Sequence, residues 1–155
     1  MAASCQDIAV GLLARRDHSA HELAQKLSQR GFDDDTITLT VNDCLERGWL
    51  DDARFAASLL RQGVNKHHGW LRVRQDAKRK GINIELLARA EQDADVDWYA
   101  LAKDTALRKY ADLDGHLSPV DHKVKAKRMR FLQSRGFNVD QIQYALNNDD
   151  IDPHF

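Results

Sequence analysis

Thr36-Ile37-Thr38-Leu39-Thr40-Val41 alternates polar and apolar side chains and is rich in β-branched residues, so propensity alone reads it as a strand. Its place in the chain overrules that reading. The run follows Gln29-Arg30-Gly31-Phe32, and Arg79-Lys80-Gly81-Ile82 and Ser134-Arg135-Gly136-Phe137 repeat the same order of basic residue, glycine and large apolar residue. The stretches after those two copies, Glu85-Leu86-Leu87-Ala88-Arg89-Ala90 and Asp140-Gln141-Ile142-Gln143-Tyr144-Ala145, are helical in pattern. The three glycines lie 50 and 55 residues apart, the scale of an internal repeat. The repeat therefore predicts a helix over 36–41 and an all-α fold. Each copy also marks a helix end, because glycine past the last turn takes the left-handed conformation and the next apolar residue folds back onto the helix.

Working outward gives three repeats of three helices. In the first, residues 1–50, Ile8, Leu12 and Leu13 fall at helical spacing within a helix from Asp7 to Arg16. Ser19-Ala20-His21-Glu22 has the form of a capping box, and Ala20, Leu23, Ala24 and Leu27 line one face up to Gly31. The third helix takes Asp34 or Asp35 as its N-cap, with Ile37, Val41 and Leu45 facing inward. In the second repeat, residues 51–95, an aspartate of Asp51-Asp52 caps a helix whose apolar stripe is Phe55, Ala56, Leu59 and Leu60. A basic middle helix from Gly69 to Lys80 turns Trp70, Val73 and Ala77 inward, and Asn83 caps a third helix through Gln92. Glu91 to Asp97 reads as a connection.

In the third repeat, residues 96–148, Trp98, Leu101, Ala102 and Thr105 share a face. Ser118-Pro119 then opens a second basic helix that runs to Arg135. Val120, Val124 and Phe131 form its buried side, and the Arg128 stem packs with its head turned to solvent. Val139, Ile142 and Leu146 close the repeat, and residues 149–155 form a frayed tail. A unit of this size buries too little surface to be stable alone, so the repeats support one another in an elongated, curved array. Trp49 and Trp98, near the joins, are expected as wedges between repeats.

The chain of 155 residues carries a net charge of -1, but the charge is not evenly spread. Seven Lys/Arg face one acid between Arg61 and Lys80, and six face none between Lys123 and Arg135, so each segment is +6 in an otherwise acidic protein. Such islands suit local contact with a polyanion, and the structural alternative is a pair of solvated helix faces. The two cysteines, Cys5 and Cys44, have no CxxC partner and fit a reducing cytosol, with Cys44 packed in a helix. No run of about 18 apolar residues and no basic segment leading into a hydrophobic run is present. No membrane association or export is expected. The chain has no GxxxxGK[ST] or GxGxxG phosphate loop and no serine-nucleophile motif. His18/His21 and His67/His68 lack a third ligand at zinc spacing, and Asp51-Asp52 at a helix start reads as a cap rather than a carboxylate pair. The sequence therefore implies no enzyme, metal or cofactor.

Leu13-Ala14-Arg15-Arg16-Asp17-His18-Ser19-Ala20-His21-Glu22-Leu23, Gly48-Trp49-Leu50-Asp51-Asp52-Ala53-Arg54-Phe55-Ala56, the stretch from Gly69 to Gly81, and Arg130-Phe131-Leu132-Gln133-Ser134-Arg135-Gly136-Phe137 together resemble the bacterial RecX family, in order and over nearly the whole chain. The resemblance implies three tandem three-helix units and a cytoplasmic regulator of the RecA recombinase. Such a regulator binds RecA in its filament groove on DNA and inhibits strand exchange, ATP hydrolysis and coprotease activity, modulating recombinational repair and the SOS response. Two departures stand out. His67-His68-Gly69-Trp70 replaces a frequent Gly-Tyr-Gly-Pro, and Ala77 replaces a usual leucine, which weakens packing of the basic helix unless Trp70 compensates.

The expected contact surface is Arg72, Arg74, Lys78 and Arg79 with Lys123, Lys125, Lys127 and Arg130, of which Lys123, Lys127 and Arg130 are spaced i, i+4 and i+7. The expected partners are RecA, its DNA filament and, weakly, the DNA phosphate backbone, met by a monomer. A stand-alone nucleic-acid-binding helical module is the main alternative. A helix-turn-helix transcription factor ranks lower, because base readout favours side chains projecting from one helix end and these cations are spread along the helices.

Overall fold

A computed structural model describes residues 3–147, and the expected frayed tail lies outside them. The described residues are all-helical, in three sets of three. They form α1 (Cys5–Arg15), α2 (Ala20–Gln29), α3 (Asp34–Glu46), α4 (Asp52–Asn65), α5 (Trp70–Arg79), α6 (Ile84–Ala94), α7 (Trp98–Tyr110), α8 (His122–Ser134) and α9 (Val139–Leu146). The ambiguous run 36–41 is helical, inside α3.

The chain makes two compact units, and both divide the middle set. The first holds Met1–Leu60 and Gln75–Ala94, around a core of Cys5, Ala9, Leu23, Leu27, Ile37, Cys44 and Leu50. The second holds Arg61–Arg74 and Asp95–Phe155, around Ala102, Ala106, Leu132, Phe137, Ile142 and Ala145. Helices α4 and α5 thus each contribute one end to each unit.

Local chemistry sets the helix ends. Ser19 and Glu22 form the expected capping box, and Asp51 accepts the Arg54 amide at 3.1 Å while Asn83 accepts that of Glu85 at 2.8 Å. Two caps differ from expectation. Asp33, not Asp34 or Asp35, caps α3 through the Thr36 amide, because the first acid after the Gly31 turn is the one still in extended conformation. Asp121, not Ser118, caps α8, and Ser118 instead donates its hydroxyl to Asp112 and closes the preceding loop. The helix therefore starts later, leaving Val120 in the loop and Val124 in a first turn ahead of the core, both exposed. Asp97 caps α7, and α6 runs on to Ala94 through part of the expected connection.

Other inward expectations shift for similar reasons. On α3, Thr40 and Cys44 are buried and Leu45 is exposed; on α9, Ile142 and Leu146 are buried and Val139 is exposed. At the end of α3 the amides of Trp49 and Leu50 both donate to the Cys44 carbonyl, and that turn sends Leu50 into the core. Trp49 stays outside under the Arg47 guanidinium, 4.9 Å from its ring centroid, and is no wedge. Trp98 does meet the neighbouring repeat, at Trp70, with ring centroids 5.9 Å apart. The Arg128 head turns onto the Tyr110 ring, at 4.9 Å, instead of reaching into solvent.

Two joints explain why the glycine signature is repeated. Within the second unit, the Gly69 amide donates to the Arg135 carbonyl at 2.7 Å and the Leu71 amide to the Gly136 carbonyl at 3.1 Å, so the start of α5 satisfies the end of α8. Within the first unit, the Ser19 hydroxyl donates to the Lys80 carbonyl, so the start of α2 satisfies the end of α5. Glu22 accepts from Lys80 at 3.0 Å and from Arg16 at 3.3 Å, and Asp52 accepts the Ala20 amide at 2.9 Å.

This second joint is sensitive to acid. Burial pushes the Glu22 carboxyl up, but hydrogen bonds from Arg16, Lys80 and the Ser19 amide outweigh it and bring the pKa down to about 2. Burial pulls the His18 imidazole below its usual 6.5, and the neutral ring donates from Nδ1 to the Arg16 carbonyl and accepts from Lys26 at Nε2. Both groups have folded pKa values below their unfolded ones, so each contributes full stability at neutral pH and loses it on acidification. The His18 contribution fades below about 6.5, and that of Glu22 between about 4.5 and about 2. Glu22→Ala is expected to cost about 2 kcal/mol at pH 7 and to flatten the acid limb below pH 4.5. Urea unfolding across a pH series checks it, and an unchanged acid limb would refute the assignment.

Candidate polyanion interface

The basic middle helices form because their first-turn amides find acceptors, Asp121 on α8 and the Gly136 carbonyl for Leu71 on α5, and because their cations leave one apolar arc free. On α5 the buried arc is Val73 and Ala77, at 1% and 2% exposure. Around it, Arg74 and Lys78 take one flank and Arg72 and Arg79 the other, as helical spacing requires. Arg72 is half-buried, its backbone and Cβ lying against Gly136, while Arg74, Lys78 and Arg79 are exposed. Arg72 and Arg74 belong to the second compact unit with α8, and Lys78 and Arg79 to the first. Arg79 pairs with Asp76 one turn back. Such an exposed pair is worth little and leaves the cation accessible.

On α8, Lys123, Lys127 and Arg130 share one exposed strip. Lys125 does not join them: it projects from another side, over the groove that Met129 and Ile142 line against α9. Its spacing of two from both Lys123 and Lys127 turns it away. Among the described residues, none of Arg72, Arg74, Lys78, Lys123, Lys125, Lys127 and Arg130 has an ion pair or a side-chain hydrogen bond. Cations that the fold does not neutralise keep their full charge for an external anion.

Other candidate groups are taken up by the fold. Cys5 and Cys44 are buried, with burial pushing the Cys44 thiol up, and His67 bonds Asp104 at 2.9 Å. Among the described residues no cluster of three or more His, Cys, Asp or Glu could hold a metal, and no helix is long and apolar enough to cross a membrane. Sequence reasoning passed over Arg108 and Lys109, at the end of α7, which meet Arg135 and Lys66 in space. The adjacent basic pair in the last turn of α7 is the only local signal of them.

Comparison with known proteins gives a consistent result. Profiles described as RecX first, second and third three-helix domains match residues 5–44, 51–90 and 95–146. The chain is 41% identical over 146 residues to Regulatory protein RecX of Vibrio vulnificus, covering 94% of this chain and 93% of the relative. It is 36% identical over 140 residues to Regulatory protein RecX of Halorhodospira halophila, covering 90% and 84%. The crystal structure of RecX from Lactobacillus salivarius shares the fold, with a TM-score of 0.76 at 20% identity and 92% of each chain covered.

Proposed function

Since this chain belongs to the RecX family of regulatory proteins, we propose that it binds the RecA recombinase and its filament on DNA and inhibits strand exchange, ATP hydrolysis and coprotease activity. It acts in the cytoplasm as a non-enzymatic monomer and thereby tempers recombinational repair and the SOS response. The observation that carries the reading is the exposed strip Lys123, Lys127 and Arg130, together with the α5 cations, of which only Arg79 has an ion pair among the described residues. A filament of recombinase on DNA offers both phosphates and acidic protein surface to such a strip.

The test adds the protein to preformed RecA filaments on single-stranded DNA and follows ATP hydrolysis and filament length. Inhibition well below one copy per recombinase would mean control of filament ends, and inhibition only near saturation would mean occupancy along the groove. Unchanged hydrolysis and length at a molar excess would overturn the proposal.

A further inference from the structure

We propose that a cavity of about 250 Å³ in the second compact unit, between the ends of α4, α7 and α8, seats one phosphate group of a nucleic-acid strand. It is walled by Lys66, His67, Arg108, Lys109 and Arg135 around Phe131. These residues lie outside the expected contact surface. The proposal deepens the polyanion-binding reading above and does not depend on the recombinase.

Three features of the cavity point to a compact anion. The first is charge balance: four permanent cations face a single carboxylate, Asp104, which is already shared between His67 at 2.9 Å and Arg108 at 3.0 Å. Among the described residues, Lys66, Lys109 and Arg135 have no carboxylate partner. Like charges gathered around one cavity repel, and an anion placed among them relieves that repulsion.

The second is how the cations are held. Lys109 Nζ lies 3.9 Å from the Phe131 ring centroid and the Arg135 guanidinium 5.3 Å from it, while Arg135 also donates to the Lys66 carbonyl at 3.4 Å. The ring face and a backbone carbonyl fix the positions of these heads without cancelling their charge. The third is backbone conformation: His67 is a non-glycine residue at φ 59, a left-handed conformation that is strained for L-amino acids. That turn, closed by bonds from the His67 amide to Val64 and the His68 amide to Gly63, brings Lys66 and His67 to the wall.

The geometry also selects which part of the strand binds. Lys109 and Arg135 both lie over the Phe131 ring, so a base stacking there would have to displace a cation. The cavity is smaller than the roughly 300–1,000 Å³ typical of whole-ligand sites. It therefore reads charge and not sequence, as a seat for a backbone phosphate does.

The test measures binding of a fluorescein-labelled oligothymidylate of about 20 nucleotides to the full chain, by anisotropy over a salt series and with no recombinase present. Lys66→Gln/Lys109→Gln is expected to weaken binding about tenfold and to lower the log–log salt slope by about 0.7, the value for one phosphate contact on a single strand. Lys66→Gln alone guards against loss of packing at Phe131, since Lys66 is exposed and Lys109 stays over the ring; it should lower the slope in the same direction. Inorganic phosphate should shift the amide resonances of Arg108 and Arg135 in the wild type and not in the double variant.

An unchanged slope in Lys66→Gln, a wild type that does not bind the oligonucleotide, or polyglutamate binding that is weakened by the same variants to the same degree would each overturn the proposal. The last result would assign the cavity to an acidic protein segment. Retained oligonucleotide results beside absent filament inhibition would uphold this site and refute the recombinase reading.

Discussion

Gly136→Ala is expected to cost about 4 kcal/mol of stability, against about 1 kcal/mol for Gly31→Ala, although the two glycines hold the same place in their repeats. Both have positive φ, 98° at Gly136 and 92° at Gly31, so both alanines carry the strain of a left-handed side chain. Only one carries more. A Cβ at Gly31 meets nothing within 4 Å, whereas one at Gly136 comes to 2.5 Å from both the amide nitrogen and the Cβ of Arg72. Those atoms belong to the start of α5 and cannot swing aside as the tip of a side chain can. Removing the clash means opening the joint that Gly69 and Leu71 make with the end of α8, so overpacking adds about 1–3 kcal/mol to the backbone strain. Gly81→Ala falls with Gly136→Ala, because its Cβ would come to 2.4 Å from the His21 Cβ, which the α2 backbone holds in place. Urea unfolding of the three variants gives the ranking, and equal losses would show that the glycines serve only their own helix ends.

Reversing the strip on α8, with Lys123→Glu, Lys127→Glu and Arg130→Glu together, is expected to weaken filament binding by about 100-fold near 0.1 M salt. Each change removes one favourable contact with a polyanion and adds one repulsive one. The three wild-type residues have no ion pair or side-chain hydrogen bond among the described residues, so far-UV circular dichroism and the unfolding midpoint should stay close to the wild type. Lys125→Glu is the internal control. It lies on another side of α8, and its reversal should change binding about threefold at most. Inhibition that survives the triple reversal would remove the strip from the interface, and a Lys125 effect as large as the triple one would show that the helix is met from its α9 side.

Where the fold was legible in the sequence, it was because chemistry acts over three or four residues. Ser19 with Glu22, Asp51 with Arg54 and Asn83 with Glu85 make caps whose donors and acceptors are near neighbours. The glycines at 31, 81 and 136 have the positive φ that a helix stop needs. The run 36–41 was harder, since its β-branched residues favour a strand, and only the parallel with the other two repeats assigned it to α3. Failures came where several residues could do the same job. Asp33, Asp34 and Asp35 are equal as caps until the turn before them is fixed, and Ser118 lost to Asp121 through a loop contact with Asp112.

The basic strip on α8 was legible from spacing alone, apart from Lys125. The cavity at Phe131 was not, because Lys66, Arg108 and Arg135 stand at the ends of three helices and Arg135 meets the Lys66 carbonyl across 69 positions of sequence. Trp49 was misplaced because hydrophobicity takes no account of which of two adjacent apolar residues a glycine turn sends inward.

The joints between helix ends also bear on how the chain folds. Most helical proteins draw their contacts from nearby residues and fold fast for that reason. Here the capping hydroxyl of Ser19 is satisfied by a carbonyl 61 positions away, and the first amides of α5 by the last carbonyls of α8. None of these bonds can form within a single repeat. The amides of Gly69 and Leu71 are therefore expected to exchange with solvent only when α5 and α8 separate. Their hydrogen-exchange protection is then a direct reading of how far the second and third repeats unfold as one cooperative body.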